Sequence, residues 1–286
     1  MCRMKFPRVE SRSVLITGCS TGIGLATARL LRDRGWQIVP TARKPADLDQ
    51  LRAEGFTPVA LDVADSASVG TAAAAALKLV DGRLGALVNN AGYGQPGALE
   101  DLSREAMRYQ FEVNVLGLQE LTNQFIPLFR RQGFGRIINV SSVLGRIPLP
   151  LMGAYVASKY AVEGLSDALR IELRGSGVAV VIIEPGPIAT GFRPTTAAFG
   201  WKHLTDAQSP FVNIYQKMAA GEREPKTRDR FMAPPEAVAK KILHALESSR
   251  PCTRYPVTAV AWAGAILRRL APDALVDRLV SGRLAK

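Results

Sequence analysis

Residues 13–24 read SVLITGCSTGIG, and the fold turns on this stretch. Residues 13–17 form a β-branched, apolar run, the composition of a buried strand. Glycines follow at Gly18, Gly22 and Gly24, and from Ile23 the pattern is helical to about residue 34. Strand, glycine-rich turn and helix start together make a nucleotide cradle. Glycine lets backbone approach a pyrophosphate, and the helix start presents free N–H groups and a positive dipole end. Gly18, Ser20, Thr21, Gly22, Ile23 and Gly24 are therefore candidate cofactor contacts. Their spacing is G-x3-G-x-G, which departs from the common G-x-G-x-x-G fingerprint. A tight turn without a ligand would need the same glycines, so the rest of the chain must decide between the two.

Outward from this stretch the same rhythm repeats. Short apolar runs at residues 37–41, 57–61, 85–89, 136–141 and 178–184 read as strands. Helical patterns lie between them at 46–54, 66–80, 103–131 and 153–174, the third long enough to bend. Continuous apolar strands alternating with helices predict an α/β fold, a doubly wound parallel sheet of about seven strands with helices on both faces. No Pro/Gly/Ser linker divides the 286 residues, so residues 1–286 read as one domain. Residues 191–231 break the rhythm. They carry Phe192, Phe199, Trp201, Phe211, Tyr215 and Phe231 among charges, and read as a substrate lid. A helix from Pro235 to about Ser248 and a short strand near 253–257 follow. Residues 257–286 form an apolar, amphipathic tail, in which Asp273 caps a last helix with Leu275, Val276, Leu279 and Val280 on one face.

Composition excludes several classes. Hydrophobic residues make up 47% and charged residues 22%, which rules out wholesale disorder. Cys2, Cys19 and Cys252 are odd in number and far apart, so they suit a reducing compartment better than a disulfide framework. With no secretory signal visible, the expected location is cytoplasmic. His203 and His244 are the two histidines, which supplies a zinc site or a histidine triad poorly; no metal is expected. Thirty-seven basic against 25 acidic residues give +12, a balance that favours anionic partners. The basic residues are dispersed and no nucleic-acid motif is present, so nucleic acid is not an expected partner.

A dinucleotide site for NAD usually places an acid near the end of the second strand, where it binds the ribose hydroxyls. Here residues 40–44 read Pro-Thr-Ala-Arg-Lys, with Ala42 where the acid is expected and Arg43 after it. The planar fork of Arg43 suits a 2′-phosphate, so the sequence leans to NADP(H). Tyr155 and Lys159 stand four apart in a helical stretch and share one face. A nearby ammonium favours the phenolate and lowers a tyrosine pKa from about 10, which suits proton transfer to or from an oxygen. Ser141 and Ser142 end the fifth strand, and Asn89 and Asn90 the fourth, at the edge where open α/β sheets bind ligands. Asn114 lies inside the long helical region, where an amide is a poor helix former.

Taken together, these pieces resemble the short-chain dehydrogenase/reductase family. The matching elements are TGCSTGIG, Asp62, Asn89-Asn90-Ala91-Gly92, Asn114, Ser142, Tyr155-x-x-x-Lys159 and Pro185-Gly186, in family order over about residues 12–190. The resemblance implies a role for each. Tyr155 is the general acid/base. Lys159 lowers its pKa and holds the nicotinamide ribose, Ser142 orients the substrate oxygen, and Asn114 holds a water that links Lys159 to bulk. Asn90, Ala91 and Gly92 line the cofactor, Asp62 and Val63 sit by the adenine, and Ile188 and Thr190, after Pro185 and Gly186, close over the nicotinamide amide. The implied activity is NADP(H)-dependent oxidoreduction of a small-molecule ketone or secondary alcohol. Softer likeness in VLITGCSTGIG and EPGPIATGF points to the hydroxysteroid and retinol dehydrogenase branch, hence to a steroid-, retinoid- or lipid-like substrate body. The family's habit of oligomerising implies a homo-oligomer, with a dimer favoured. For the tail, packing on the domain or on a second subunit is preferred over peripheral contact with an anionic membrane. A second reading is a redox-sensing regulator that binds NADPH without turnover. Intact Ser142, Tyr155 and Lys159 count against it.

Overall fold

The computed structural model describes residues 5–192, 204, 208–220 and 232–281. Seven parallel strands form one sheet in the order β3-β2-β1-β4-β5-β6-β7. They are β1 (Ser13–Ile16), β2 (Gln37–Ala42), β3 (Val59–Ala60), β4 (Ala86–Asn89), β5 (Gly135–Val140), β6 (Val178–Glu184) and β7 (Arg254–Pro256). The central strands β1, β4, β5 and β6 are buried along their whole length, which is why they read as largely apolar runs, although β5 also buries Arg136 and Asn139. β3 is shorter than its sequence implies. It pairs with Thr41 and Ala42, beyond Pro40, a residue with no N–H to give a ladder.

Helices cover both faces. On one lie α1 (Gly22–Asp33), α2 (Pro45–Ala53) and α8 (Pro235–Glu247); Leu25, Ala28 and Leu31 of α1 share a core with Val238 and Ile242 of α8. On the other, Val69, Ala72 and Ala76 of α3 (Ser66–Leu79) pack with Leu121, Phe125 and Phe129 of α5 (Gly117–Gln132) and Leu169 of α6 (Gly153–Glu172). The Ala-rich run of α3 is thus a face that lets α5 come close. The strand order reverses between β1 and β4, so the crevice for a ligand opens there, at the carboxyl ends of the strands.

Three expectations are corrected. The helical region at 103–131 is not one helix. α4 (Arg104–Phe111) passes into a π-turn at Glu112–Leu116 before α5 begins, because the buried amide of Asn114 is committed to the backbone of Tyr93 rather than to a regular turn. Second, the lid interval is not wholly irregular. Val212–Ala219 forms a helix, α7, whose Tyr215 joins Ala98, Leu151 and Leu204 in a small core. Phe199, Trp201 and Phe231 lie outside the described residues. Third, Asp273 opens the last helix, α10 (Asp273–Ser281), from inside its first turn and pairs with Arg268 of α9 (Ala259–Leu270) instead of serving as a cap. Of the four residues expected on one packed face of α10, Val276 alone is buried, while Leu275 and Leu279 are exposed.

Candidate active site

The cradle is built from a strand that ends in a glycine at φ +70°, Gly18, where a Cβ would stand 2.9 Å from the backbone of Ala91. Gly22 opens α1 at φ +61°, and its missing Cβ faces Thr190 at 3.1 Å. Both conformations belong to the left-handed region that glycine adopts without cost. Thr21 precedes the helix without a capping bond from its side chain, so first-turn N–H groups are left to a ligand. That combination fits a pyrophosphate. The cradle is tied to β4 from below. Asn90 donates to the carbonyls of Thr17 and Gly18 at 2.9 and 3.0 Å, and the Thr17 hydroxyl accepts the N–H groups of Asn90 and Ala91. Asn90 therefore shapes the turn rather than merely lining it.

At the end of β2, Ala42 is buried and Arg43 is half-exposed. The Arg43 guanidinium donates to the Tyr109 hydroxyl at 3.1 Å and stands 3.6 Å from the Asp62 carboxylate, contacts that push its pKa further up. Asp62 in turn accepts the N–H of Ala64, and the carbonyl of Val63 lies against Gly117 at the start of α5. Tyr109, packed against the ring of Tyr93 at 5.4 Å, belongs to this corner and was not singled out in the sequence. Nothing in its local pattern marks it, since it reaches Arg43 only through the fold.

The reacting groups gather at the ends of β4, β5 and β6. Tyr155 is buried on the first turns of α6, hydrogen-bonds Ser142, and meets the ring of Phe192 at 5.5 Å. Lys159 is buried one turn on. Its Nζ donates to the Val140 carbonyl at 2.9 Å and lies 5.7 Å from the Tyr155 ring centre. Gly92 closes the opposite wall, where a Cβ would come 3.1 Å from the Asn114 amide and 3.8 Å from Lys159 Nζ. Asn114 spans the gap between elements. It holds Tyr93 by both backbone groups and donates to Ser158 at 3.0 Å, and Ser158 donates to the Tyr155 carbonyl. The π-turn aims this amide inward, a use such turns often have.

Electrostatics correct one expectation. In the cofactor-free chain burial pushes the Tyr155 phenol up to about 12, with the Ser142 hydrogen bond opposing. Burial also pushes Lys159 down to about 8, against the charge of Glu163. Desolvation outweighs the Ser142 hydrogen bond, so at neutral pH Tyr155 is a protonated donor. Glu163, one further turn along α6, is a site neighbour that the Tyr-x-x-x-Lys pattern did not announce.

The chain after β6 completes the edge. Pro185 accepts the N–H of Val143, the residue after Ser142, and a Cβ on Gly186 would collide with Thr258 at the start of α9. Ile188 is bridged to Ala233, while Thr190 reaches back to Gly22 of the cradle. The sequence-predicted residues thus lie along one edge, from Arg43 through the cradle to Tyr155.

Residues 12–199 match the family model described as short chain dehydrogenase. The chain is 42% identical over 275 residues to the uncharacterized oxidoreductase YbbO of Escherichia coli, covering 96% of both. It is 37% identical to human 17-beta-hydroxysteroid dehydrogenase type 1, over 86% of this chain and 77% of that protein. Two solved structures are similar in fold. A short-chain dehydrogenase/reductase of Burkholderia phymatum in complex with NAD has a TM-score of 0.75 at 27% identity, covering 95% of each chain. One of Burkholderia cenocepacia with NADP has 0.73 at 26%, covering 96% of this chain and 99% of that one.

Proposed function

The chain belongs to the short-chain dehydrogenase/reductase family, an oxidoreductase family acting on alcohol and carbonyl groups, and from that premise we propose NADP(H) as its cofactor and an apolar ketone or secondary alcohol as its substrate. The observation that carries the reading is the buried Tyr155 phenol, hydrogen-bonded to Ser142 and backed by Lys159, facing the glycine cradle along one sheet edge.

A nicotinamide cofactor held by these residues would supply or accept the hydride. The chain's own residues handle the oxygen. Ser142 and Tyr155 hold it between two hydroxyls, and Tyr155, protonated at neutral pH, gives its proton as the carbonyl is reduced. The Lys159 ammonium stabilises the phenolate left behind and binds the ribose hydroxyls. Asn114 fixes Gly92 and the first turns of α6 at the correct separation, and in this role it also positions a proton-relaying water. Gly18, Ser20, Thr21, Gly22, Ile23 and Gly24 cradle the pyrophosphate, Asn90, Ala91, Gly92, Pro185, Gly186, Ile188 and Thr190 flank the nicotinamide half, and Asp62 and Val63 receive the adenine. Buried Ala42 with Arg43 beyond it supports the choice of NADP(H), since a carboxylate at Ala42 would repel a 2′-phosphate. Phe192 on the Tyr155 ring supports an apolar substrate body, and the relative named for hydroxysteroids is in keeping with it. Homodimer formation and a closing lid belong to the same proposal.

The test is direct binding of NADPH and NADH, followed by a panel of ketones and secondary alcohols read by nicotinamide absorbance. Tighter binding of NADPH and turnover of apolar ketones are expected. NADPH binding with no turnover across the panel would favour the regulator, and preference for NADH would remove the role of Arg43.

A further inference from the structure

We propose that the outer face of α9 and α10 docks on an anionic phospholipid bilayer. Among the described residues twelve large apolar side chains are exposed, and six of them fall on these two helices. Trp262, Ile266 and Leu270 are 58%, 54% and 77% exposed. Four-residue spacing places them in one stripe along α9. Leu275 and Leu279 continue the exposed apolar surface on α10, at 44% and 60%. The other side of α9 is already anchored. Ala261 and Gly264 are buried, and a Cβ on Gly264 would lie 2.5 Å from Ile147 and 2.9 Å from Val143. α9 does pack on its own domain, but with its small residues, while Trp262, Ile266 and Leu270 face out. A helix apolar on both sides belongs in a core or against lipid, and among the described residues only one side of α9 has a core.

Charge selects the occupant. Residues 248–272 contain Arg250, Arg254, Arg268 and Arg269 and no acidic residue. Arg268 and Arg269 end the apolar stripe, and with Arg146, Arg254 and one carboxylate, Glu163, they line a surface hollow of about 450 Å³ beside α9. Internal carboxylates answer part of this charge: Glu184 pairs with Arg146, Glu163 and Asp167 with Arg254, and Asp273 with Arg268. The chain as a whole still carries +12. A second copy would present the same arginines in a twofold contact, setting like charge against like. Anionic headgroups meet the arginine end of the stripe and acyl chains meet Trp262, Ile266 and Leu270, the division of labour of an interfacial helix. The same helix packs on the turn after Ser142, so the bilayer would adjoin the reacting edge.

The experiment is co-sedimentation of the full chain with vesicles of phosphatidylcholine alone or mixed with phosphatidylglycerol, with sedimentation velocity in parallel. Mixed vesicles should retain the chain far better than phosphatidylcholine alone, and added salt should release it. Ile266→Ser with Leu270→Ser should weaken retention at least about tenfold without lowering the thermal midpoint, because both side chains are exposed. Trp262 fluorescence should be quenched by bromine-labelled acyl chains, and the Trp262→Phe variant should lose that quenching. No retention by mixed vesicles would overturn the proposal, as would equal retention by both vesicle types. So would a double variant that still sediments with vesicles but no longer dimerises, which would give the face to a second copy.

Discussion

Replacing Lys159 by methionine should stabilise the cofactor-free chain at neutral pH while removing its turnover. The lysine is buried beside an equally buried tyrosine, and burial pushes its pKa from 10.5 down to about 8. At 1.36 kcal/mol for each pH unit, that interval corresponds to a penalty of about 3 kcal/mol for holding the charged form in the fold. The unfolded chain keeps the proton up to about pH 10.5, whereas the folded chain releases it near 8. Between these limits the unfolded state binds more protons, so wild-type stability rises with pH through the window. The penalty is fully present below the folded value. Methionine carries no charge and is similar in reach. What it gives up is the hydrogen bond to the Val140 carbonyl, 2.9 Å in length and worth about 1 kcal/mol, with some further cost for the unsatisfied oxygen. The variant should therefore gain roughly 1–2 kcal/mol near neutral pH, and the gain should vanish or reverse by about pH 10. Urea unfolding of both proteins at the two pH values, taken as a difference, cancels the other groups that titrate there. A variant less stable than wild type at neutral pH, or a difference that stays flat with pH, would refute the reasoning.

Further outcomes are expected. Tyr155→Phe should keep cofactor binding and lose about 10²–10⁴-fold in turnover, the usual worth of acid/base catalysis; a steady-state assay showing a few-fold change would remove the assignment. Arg43→Leu should weaken NADPH by about tenfold and leave NADH nearly untouched, the low end of a charge-assisted contact because Arg43 is already shared with Tyr109 and Asp62; equal weakening in fluorescence titrations would make it a general surface charge. Gly24→Ala places a Cβ 2.2 Å from the Gly18 carbonyl and 2.7 Å from the Asn90 amide, so both cofactors should bind more weakly and the thermal midpoint should fall; calorimetry showing no change in either would refute the cradle geometry.

Most of the sheet was legible because parallel strands covered on both faces are mostly apolar, and residues 13–17, 85–89 and 178–184 follow that pattern, with Asn89 and Glu184 as buried polar residues at strand ends. The cradle was not legible from its glycines alone, since a tight turn without a ligand would use Gly18, Gly22 and Gly24 equally well; Asn89–Gly92, Ser142 and the Tyr155–Lys159 pair in the same chain weighted the reading. What escaped was set by distance in sequence. Tyr109 reaches Arg43 across 66 positions, and Arg254 reaches Glu163 across 91, so neither contact leaves a local trace. The π-turn at Asn114 escaped for another reason. Its residues are ordinary helix formers on either side, and the extra residue in the turn is fixed by the amide's hold on Tyr93. The shift of the Tyr155 phenol was misjudged because spacing reveals a neighbouring charge but not how far both groups are removed from water.

The same comparison explains why so dry a core tolerates a polar spine. Asn89 donates to Thr122 and Asn139, and Asn139 donates to Ser166, so buried amides and hydroxyls run from β4 through β5 to α5 and α6. An apolar replacement of similar volume would cost little by area alone. These bonds carry direction, however, and an apolar contact does not. They fix how far α6 can slide along β5, and α6 carries Tyr155 and Lys159 at its start. Asn114 repeats the device from the other side through Ser158, which donates to the carbonyl of Tyr155 itself. α6 is thus held by two directed networks, one from the sheet at Ser166 and one from the π-turn at Ser158 and the Tyr155 carbonyl. The proton transfer proposed for Tyr155 would work only at hydrogen-bond reach and would need that precision, whereas the periodic apolar pattern needs only that α6 lie somewhere on the sheet.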